Sequence, residues 1–307
     1  MKTFYRNVYN TYGSQGKTWI ESLPGLIDHY SKEWQLTNLK PFNNLSLNYV
    51  LEAYQTSSQS KVVLKLSPSH SEIQLESAAL EFYDGIGCVK LLNRNIDNGV
   101  LLRSYAYHPS LSSMFPEKDD QAVLYAASIM KKLHLRKLAT KEHHPSTKDW
   151  LSNLISNGII PETHINKAQA ISKELLGSQE QRVLLHGDLH HDNILSNEQG
   201  EWIAIDPKGV IGEPAYEIGA FIRNPIPRLL EENYNPSKII LRRIEIFSEY
   251  LGVDKERVKQ WSYVQSILAG CWAAEDSASW EQWIACAELI DKSILGNKIL
   301  FGPVITK

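Results

Sequence analysis

Apolar and polar residues alternate through Asn48 to Tyr54 and again through Lys61 to Leu66, flanking the polar stretch Gln55-Thr56-Ser57-Ser58-Gln59-Ser60. That period of two predicts a β-hairpin. In its second strand Val62, Leu64 and Leu66 share one face, while Val63 and Lys65 take the other. Further on, Ser71-Glu72-Ile73-Gln74 reads as a capping box, and the spacing turns helical as far as about Tyr83. Glu76 falls inside the apolar stripe of Ile73, Ala79 and Leu80. A carboxylate there requires a cation, because burying it alone is costly. Lys65 is the nearest candidate, with Glu72 as the alternative acid, although a strand lysine is equally at home in solvent. Val89 to Leu92 and Val100 to Leu102 add two strands around the turn Asn93 to Gly99.

Elsewhere the pattern is helical. Trp19 to Tyr30, interrupted by Pro24-Gly25, predicts a helix ahead of the strands. Asp119 and Asp120 open a helix carried by Val123, Ala126, Ala127, Met130 and Leu133, with Lys131 and Lys132 near its end. Further helices are expected around 147–157, 164–176, 215–223, 237–251, 254–270 and 281–296. Within this helical half stands one ribbon: Val183 to Leu185, Ile194 to Ser196 and Glu201 to Ile205 are short apolar strands, with Asn197-Glu198-Gln199-Gly200 as a turn. The predicted plan is α+β and bilobal. A small antiparallel sheet with one main helix occupies 1–103, and a larger, mostly helical lobe occupies 104–307.

The ribbon brings chemistry with it. Pairing Ser196 with Glu201 sets Leu195 against Trp202 and Ile194 against Ile203, so Asn193 and Asp206 emerge at the same open end. A divalent ion could bridge them. Asp188 stands five residues ahead of Asn193, the spacing of a kinase catalytic loop, in which the acid takes the acceptor's proton and the amide holds magnesium. Phosphoryl transfer asks little covalent work of a protein, so a positioned Mg²⁺ and an oriented hydroxyl carry most of it. Magnesium takes hard oxygen ligands, which Asn193 and Asp206 supply. Taken singly, an Asp in such a loop is usually a turn former or cap. His186, His190 and His191 invite a zinc reading, but no Cys stands nearby and neither H-E-x-x-H nor C-x-x-C occurs. His186 reads better as a ring bonded to nearby backbone.

In that scheme Lys65 and Glu76 form the pair that grips nucleotide phosphates. Arg103, Ser104 and Tyr105 begin a hinge, Arg103 to Tyr107, whose backbone groups face an adenine edge. The chain has no G-x-G-x-x-G, so the loop Gln55 to Ser60 is expected to cover the phosphates through hydroxyls and amides. Gly16-Lys17-Thr18 imitates a P-loop, but the glycine required five residues before Gly16 is Thr11 and no apolar strand precedes it. It is expected to end a loop.

A formal charge of −3 with no Lys/Arg run of five or more argues against a nucleic-acid partner and for a small molecule. Cys88, Cys271 and Cys286 are odd in number and far apart, which fits reduced, buried thiols and the cytoplasm. No secretory h-region and no run near the about 18 apolar residues of a membrane helix is present, so no membrane is expected. Oligomeric state leaves no trace in the sequence.

Several segments resemble the aminoglycoside phosphotransferases, within them the streptomycin 6-kinase and hydroxyurea-kinase group. They are Tyr12-Gly13-Ser14-Gln15-Gly16-Lys17-Thr18-Trp19, Leu75-Glu76-Ser77-Ala78-Ala79-Leu80, Tyr83-Asp84-Gly85-Ile86-Gly87, His186-Gly187-Asp188-Leu189-His190-His191-Asp192-Asn193, and the run from Ala204-Ile205-Asp206-Pro207-Lys208 to Glu217. The resemblance implies a protein-kinase-like fold, ATP and Mg²⁺ as cofactors, Asp188 as catalytic base, Asn193 and Asp206 as magnesium ligands, Lys65 as the α/β-phosphate lysine with Glu76 as its partner, and Glu217 as a brace of the catalytic loop. Pro207 stands where protein kinases have the Phe of D-F-G. The core motif does not encode the acceptor, since fructosamine, choline, homoserine and methylthioribose kinases share it. A cationic carbohydrate would call for carboxylates. Glu213, and Glu275-Asp276 and Glu281 with Trp272 and Trp280, are candidates, though such acids and tryptophans, Trp283 included, equally suit a solvated face and packing. Alternatives are a kinase of another metabolite (an amino sugar, an amino alcohol, hydroxyurea), a non-catalytic nucleotide-binding module, and a zinc hydrolase.

Overall fold

The computed structural model describes residues 2–138, 144–156, 158–276 and 278–293. In chain order the elements begin with α1 (Lys2–Glu33), β1 (Leu36–Pro41), β2 (Tyr49–Gln55), β3 (Ser60–Leu66), α2 (His70–Tyr83), β4 (Leu91–Asn95) and β5 (Val100–Ser104). They continue with α3 (Asp119–Leu133), α4 (Thr147–Leu151), α5 (Glu162–Gly177), β6 (Val183–Leu185), β7 (Ile194–Ser196), β8 (Trp202–Ala204), β9 (Val210–Gly212), α6 (Pro214–Ile222), α7 (Pro236–Leu251), α8 (Lys255–Glu275) and α9 (Glu281–Lys292). The chain divides into two compact units, residues 1–150 with 180–217, and residues 151–179 with 218–307.

The first unit is organised by an antiparallel sheet in the order β1-β2-β3-β5-β4. Its strands obey the period of two. Leu51, Ala53, Val62, Leu64, Leu66, Val100 and Leu102 point to one face, where Phe4, Val8, Leu23, Tyr30 and Trp34 cover them in one apolar core. Val63 pairs with Arg103 and Lys65 with Leu101, which places both cations on the opposite face. That face is the one that carries the chemistry.

Several expected bounds shift. The N-terminal helix begins at Lys2 rather than Trp19, and a kink at Gly13 (φ 56°, ψ −133°) joins its two halves. Gly16-Lys17-Thr18 therefore lies within α1, not at the end of a loop. A Cβ on Gly16 would sit 2.7 Å from the Val8 carbonyl oxygen, so this glycine serves close packing and not phosphate binding. Helix α2 is capped by Ser69, whose Oγ accepts from the Glu72 N–H, two residues earlier than the Ser71 box. Strand β4 starts at Leu91 because Val89 is engaged elsewhere, donating to the Ala204 carbonyl. The helix expected over 147–157 ends at Leu151, and residues 294–296 of the last one lie outside the described residues.

The ribbon forms with its register moved by one residue: Ser196 pairs with Trp202, Leu195 with Ile203 and Ile194 with Ala204. The cause is the turn. The Asn197 N–H donates to the Glu201 carbonyl, so Asn197 joins the ladder and a three-residue loop remains, with Gly200 at φ 77°. Strand β9, which no sequence pattern singled out, pairs antiparallel with β6.

The second unit is helical. Helix α8 packs against α5, α7 and α9 and is buried nearly all round from Val258 to Cys271, so its apolar residues form no single stripe. Arg243 of α7 is fully buried and donates to the carbonyls of Phe221, Ile222 and Asn224, satisfying backbone acceptors at the end of α6. Cys88, Cys271 and Cys286 are buried free thiols. No helix among the described residues is long and apolar enough to cross a membrane.

Candidate active site

Strand β6 ends at Leu185, and the next two backbone N–H groups leave the ladder to meet one carboxylate. His186 donates to Glu217 Oε2 at 2.6 Å and Gly187 to Glu217 Oε1 at 2.9 Å. Glu217 is 1% exposed, so these charge-assisted bonds fix the loop in a dry environment. His134 Nε2 lies 3.6 Å from the same carboxylate. The His186 ring, fully buried, bonds Ile205 O through Nε2 at 2.8 Å and takes the Asp188 N–H on Nδ1 at 3.2 Å. That pattern assigns a neutral ring protonated on Nε2. Burial lowers its pKa from the ordinary value, and the Glu217 charge offsets this only in part. Gly187 has φ 85°, and a Cβ there would meet Trp150 Cη2 at 2.7 Å, so no other residue fits.

Asp188 follows directly and is partly exposed. Asn193, after a short 3₁₀ turn, donates from Nδ2 to the Asp188 carbonyl at 2.9 Å and approaches Asp188 Oδ2 at 3.5 Å. His190 Nε2 lies 3.2 Å from the same amide nitrogen and 3.7 Å from Asp188 Oδ2. The Asn193 Oδ1 takes no hydrogen bond among the described residues. The Ile205 N–H donates to the Asn193 carbonyl at 2.9 Å, which sets Asp206 beside Asn193 despite the register change.

Asp206 itself sits at φ 57°. Asp tolerates the left-handed region better than most residues, yet such a conformation still costs about 1–3 kcal/mol and persists only where surroundings enforce it. Here they do. Asp206 Oδ1 lies 3.3 Å from Lys65 Nζ and 3.5 Å from Arg103 Nη2. Burial alone would raise its pKa, but the charges of Lys65, Arg103 and Lys208 outweigh that and hold the carboxyl well below the usual range. Lys65 Nζ also bonds Glu76 Oε2 at 2.7 Å, with both side chains buried. Burial opposes the Lys65 charge, but Asp206 and Glu76 together raise its pKa and keep it an ammonium. Glu72, the alternative acid, lies on the cleft wall instead.

Lys65, Arg103, Asn193 and Asp206 all line one cleft of about 420 Å³. Its remaining wall corrects two expectations. The Gln55 to Ser60 loop contributes nothing: it is the β2–β3 turn, closed on itself by Ser58 Oγ bonds to Gln55 and Ser60. The β1–β2 connection supplies Phe42, Asn44, Leu45, Ser46, Leu47 and Asn48 to the cleft in its place. This segment escaped notice because it carries no glycine and no periodicity; its polar residues before a strand were the only signal. Arg103 is likewise no hinge residue. It lies within β5, and its guanidinium turns into the cleft towards Asp206.

The hinge proper is narrower than 103–107. Ser104 is occupied, its N–H donating to Lys90 O and its Oγ accepting from the Lys90 N–H. Tyr107 exchanges both backbone bonds with Ser196. The main-chain groups of Tyr105 and Ala106 take no hydrogen bond among the described residues. The Tyr105 hydroxyl donates to Glu52, its ring packs with Phe42 and Tyr107, and Ala106 lines the cleft.

The three loop histidines diverge. His186 bonds Ile205, His190 sits beside Asp188, and fully buried His191 lies 3.7 Å from Asp119, so they do not form a zinc cage. Two hard oxygens, the Asn193 amide and the Asp206 carboxylate, are instead the kind of donor set that magnesium completes with phosphate and water. Of the acceptor candidates, Glu213 is buried, whereas Glu275, Asp276 and Glu281 are exposed on the second unit. There the Arg223 guanidinium stacks over Trp283, which speaks for packing.

The sheet with its lysine, the paired helix glutamate and the catalytic-type loop define a protein-kinase-like phosphotransferase that acts on small molecules. The family model of the aminoglycoside/hydroxyurea antibiotic resistance kinases matches residues 40–277, and the chain belongs to that family. It is 28% identical to a streptomycin 6-kinase of Streptomyces griseus, over 91% of this chain and 93% of the relative. It is 27% identical to a hydroxyurea phosphotransferase of Kitasatospora aureofaciens, over 91% and 82%. Among solved structures, an amicoumacin kinase in complex with AMP-PNP, Ca²⁺ and Ami superposes with a TM-score of 0.61 at 15% identity, over 92% of this chain and 97% of that one.

Two measurements probe the frame. Lys65→Met leaves the Glu76 carboxylate buried without its cation and should cost about 3–5 kcal/mol in urea unfolding, whereas Lys65→Met combined with Glu76→Leu should recover most of that loss. Equal stabilities for the two variants would deny the pair its role. His186, neutral when folded, binds fewer protons than the unfolded chain below its ordinary pKa of 6.5. Its contribution is therefore present above that pH and lost as pH falls through the lowered folded value. Between about pH 7.5 and about pH 5.5 the wild type should lose more stability than His186→Gln; parallel losses would contradict the neutral assignment.

Proposed function

We propose that the protein is an ATP- and Mg²⁺-dependent O-phosphotransferase that places the γ-phosphate on a hydroxyl of a streptomycin-like aminoglycoside or a related cationic compound, in the cytoplasm. The observation that carries this reading is the junction of four side chains, Asp188, Asn193, Asp206 and Lys65, each within 3.5 Å of the next or adjoining it through one backbone bond.

In this reading residues 1–103 serve as the nucleotide lobe and 104–307 as the catalytic and acceptor lobe. Lys65, aligned by Glu76, donates to the α/β-phosphates, and Arg103 adds a second cation at the back of the cleft. The backbone at Tyr105 and Ala106 meets the base edge, while Ser104, engaged by Lys90, holds that segment to the residue before β4. Asn193 Oδ1 and Asp206 hold the magnesium ion, which when bound neutralises charge on the phosphate oxygens. Asp188 orients the acceptor hydroxyl and takes its proton as phosphorus moves across. His190 and Asn193 hold the Asp188 carboxylate in place, and Glu217 and His186 fix the backbone beneath it. Aminoglycoside acceptors are supported by the streptomycin kinase relative, and a hydroxyurea-type N-hydroxyl by the hydroxyurea phosphotransferase relative.

The test is ADP release from Mg·ATP over a panel of aminoglycosides, hydroxyurea, amino sugars and amino alcohols. Streptomycin-dependent release is expected. Release with the other compounds only would discard the antibiotic acceptor, and nucleotide binding with no acceptor-dependent release would mark a non-catalytic module. Asp188→Asn should keep nucleotide affinity while kcat drops about 10²–10⁴-fold; near-normal turnover would remove its assigned role.

A further inference from the structure

Lys208 is a cation in the cleft that the scheme above leaves without a task. Lys65 is spent on Glu76 and Asp206, and Arg103 on Asp206. Lys208 is exposed, lines the same cleft as Asp206 and Asn193, and makes no ion pair among the described residues. Its backbone is nonetheless fixed, since its N–H donates to the His186 carbonyl at 2.7 Å. Its Cβ lies 3.3 Å from where a Cβ on Gly187 would stand, so its stem rises beside the residue preceding Asp188. An exposed ammonium on a stem fixed beside the catalytic-type loop is thus held at the cleft that Asn193 and Asp206 line.

We propose that Lys208 is a further catalytic residue, whose ammonium donates to an equatorial oxygen of the γ-phosphoryl as it passes to the acceptor. This rests on the kinase reading. In the step, the bond from the γ-phosphorus to the β,γ-bridging oxygen breaks and its electron pair leaves with ADP. A bond forms from the acceptor oxygen to phosphorus, and the acceptor's proton goes to Asp188. Lys208 gives up no proton; it stabilises charge on oxygens that neither Asn193 Oδ1 nor Asp206 can touch, being acceptors themselves. A cation that favours the Asp206 charge without a close ion pair to it is the one best able to do so, because it breaks no contact to reach the phosphate. A lysine kept merely for solubility would need no such fixed backbone beside the catalytic loop.

The test compares Mg·AMP-PNP with Mg·ADP binding by calorimetry on the wild type, Lys208→Met and Lys208→Arg, alongside kcat and KM with an acceptor that supports turnover. Lys208→Met should weaken AMP-PNP about tenfold and leave ADP unchanged, because only the former carries a γ-phosphoryl. It should lower kcat more than the acceptor KM, and Lys208→Arg should restore the AMP-PNP preference. Equal weakening of both nucleotides, or of neither, would overturn the assignment. The two readings fail separately. Lys208-dependent AMP-PNP binding without any acceptor turnover would sink the kinase reading and spare the phosphate contact, whereas turnover with unaltered nucleotide discrimination in Lys208→Met would do the reverse.

Discussion

Everything in the site depends on four charges: Lys65 and Arg103 on the sheet and Glu76 on α2, placed where water scarcely reaches, and Asp206 beyond β8, which meets them from the partly open side. Charges so placed are costly singly and tolerable only together, since each desolvated group must find its opposite within contact distance. The arrangement therefore acts as a geometric lock. Lys65 cannot serve Glu76 and Asp206 at 2.7 Å and 3.3 Å unless β3, α2 and the ribbon hold one mutual placement. The apolar core on the other face of the sheet stabilises α1 and the strands but places no such demand on α2 or the ribbon. Packing builds the sheet, and electrostatics aligns the site upon it.

Much of that lock was legible because it follows local periodicity. A period of two puts Lys65 opposite Val62 and Leu64, and a period near four puts Glu76 on an apolar stripe; each looks anomalous alone, and the two anomalies resolve each other. The loop was legible for a similar reason, as Asp188, Asn193 and Asp206 are spaced by short segments whose conformations are few. What escaped depends on facts that spacing does not carry. The ribbon's register turned on whether Asn197 joined the ladder, a matter of one backbone bond and the left-handed freedom of Gly200. Strand β9 is three residues long, too short for any period to declare itself. Arg103 was assigned by its backbone position, while its function follows from a side chain long enough to cross the cleft. The Phe42 to Asn48 wall was hidden because a cleft-lining loop without glycine has no distinctive composition.

The braces and the reacting groups differ in their exposure, and the difference has a physical reason. Glu217 and His186 are sealed, and their charge or polarity is consumed by backbone partners, so they can neither react nor move. The side chains of Asp188 and Asp206 keep about a third of their surface open, 33% and 35%. An acid that must receive a proton or meet an ion needs an unfilled side, yet it must not swing. The loop meets both demands by satisfying its backbone with buried carboxylate and imidazole, leaving the side chains to face outward from a rigid base.

Charge balance within the cleft bears on why a metal belongs there. Its wall carries Lys65, Arg103 and Lys208 against Glu72, Asp192 and Asp206, three of each sign. A cleft so balanced exerts little net pull on a polyphosphate, and the Asp206 carboxylate, held ionised by Lys65, Arg103 and Lys208, repels one directly. Two anions can share that position only with a divalent cation between them, which is also what the unbonded Asn193 Oδ1 beside Asp206 suits. Were Asp206 neutral, the same cleft would carry a net positive charge and could take nucleotide without metal. Under the proposed function, the cations that depress the Asp206 pKa would tie nucleotide binding to a divalent ion, and the lock that aligns the site would also set that dependence.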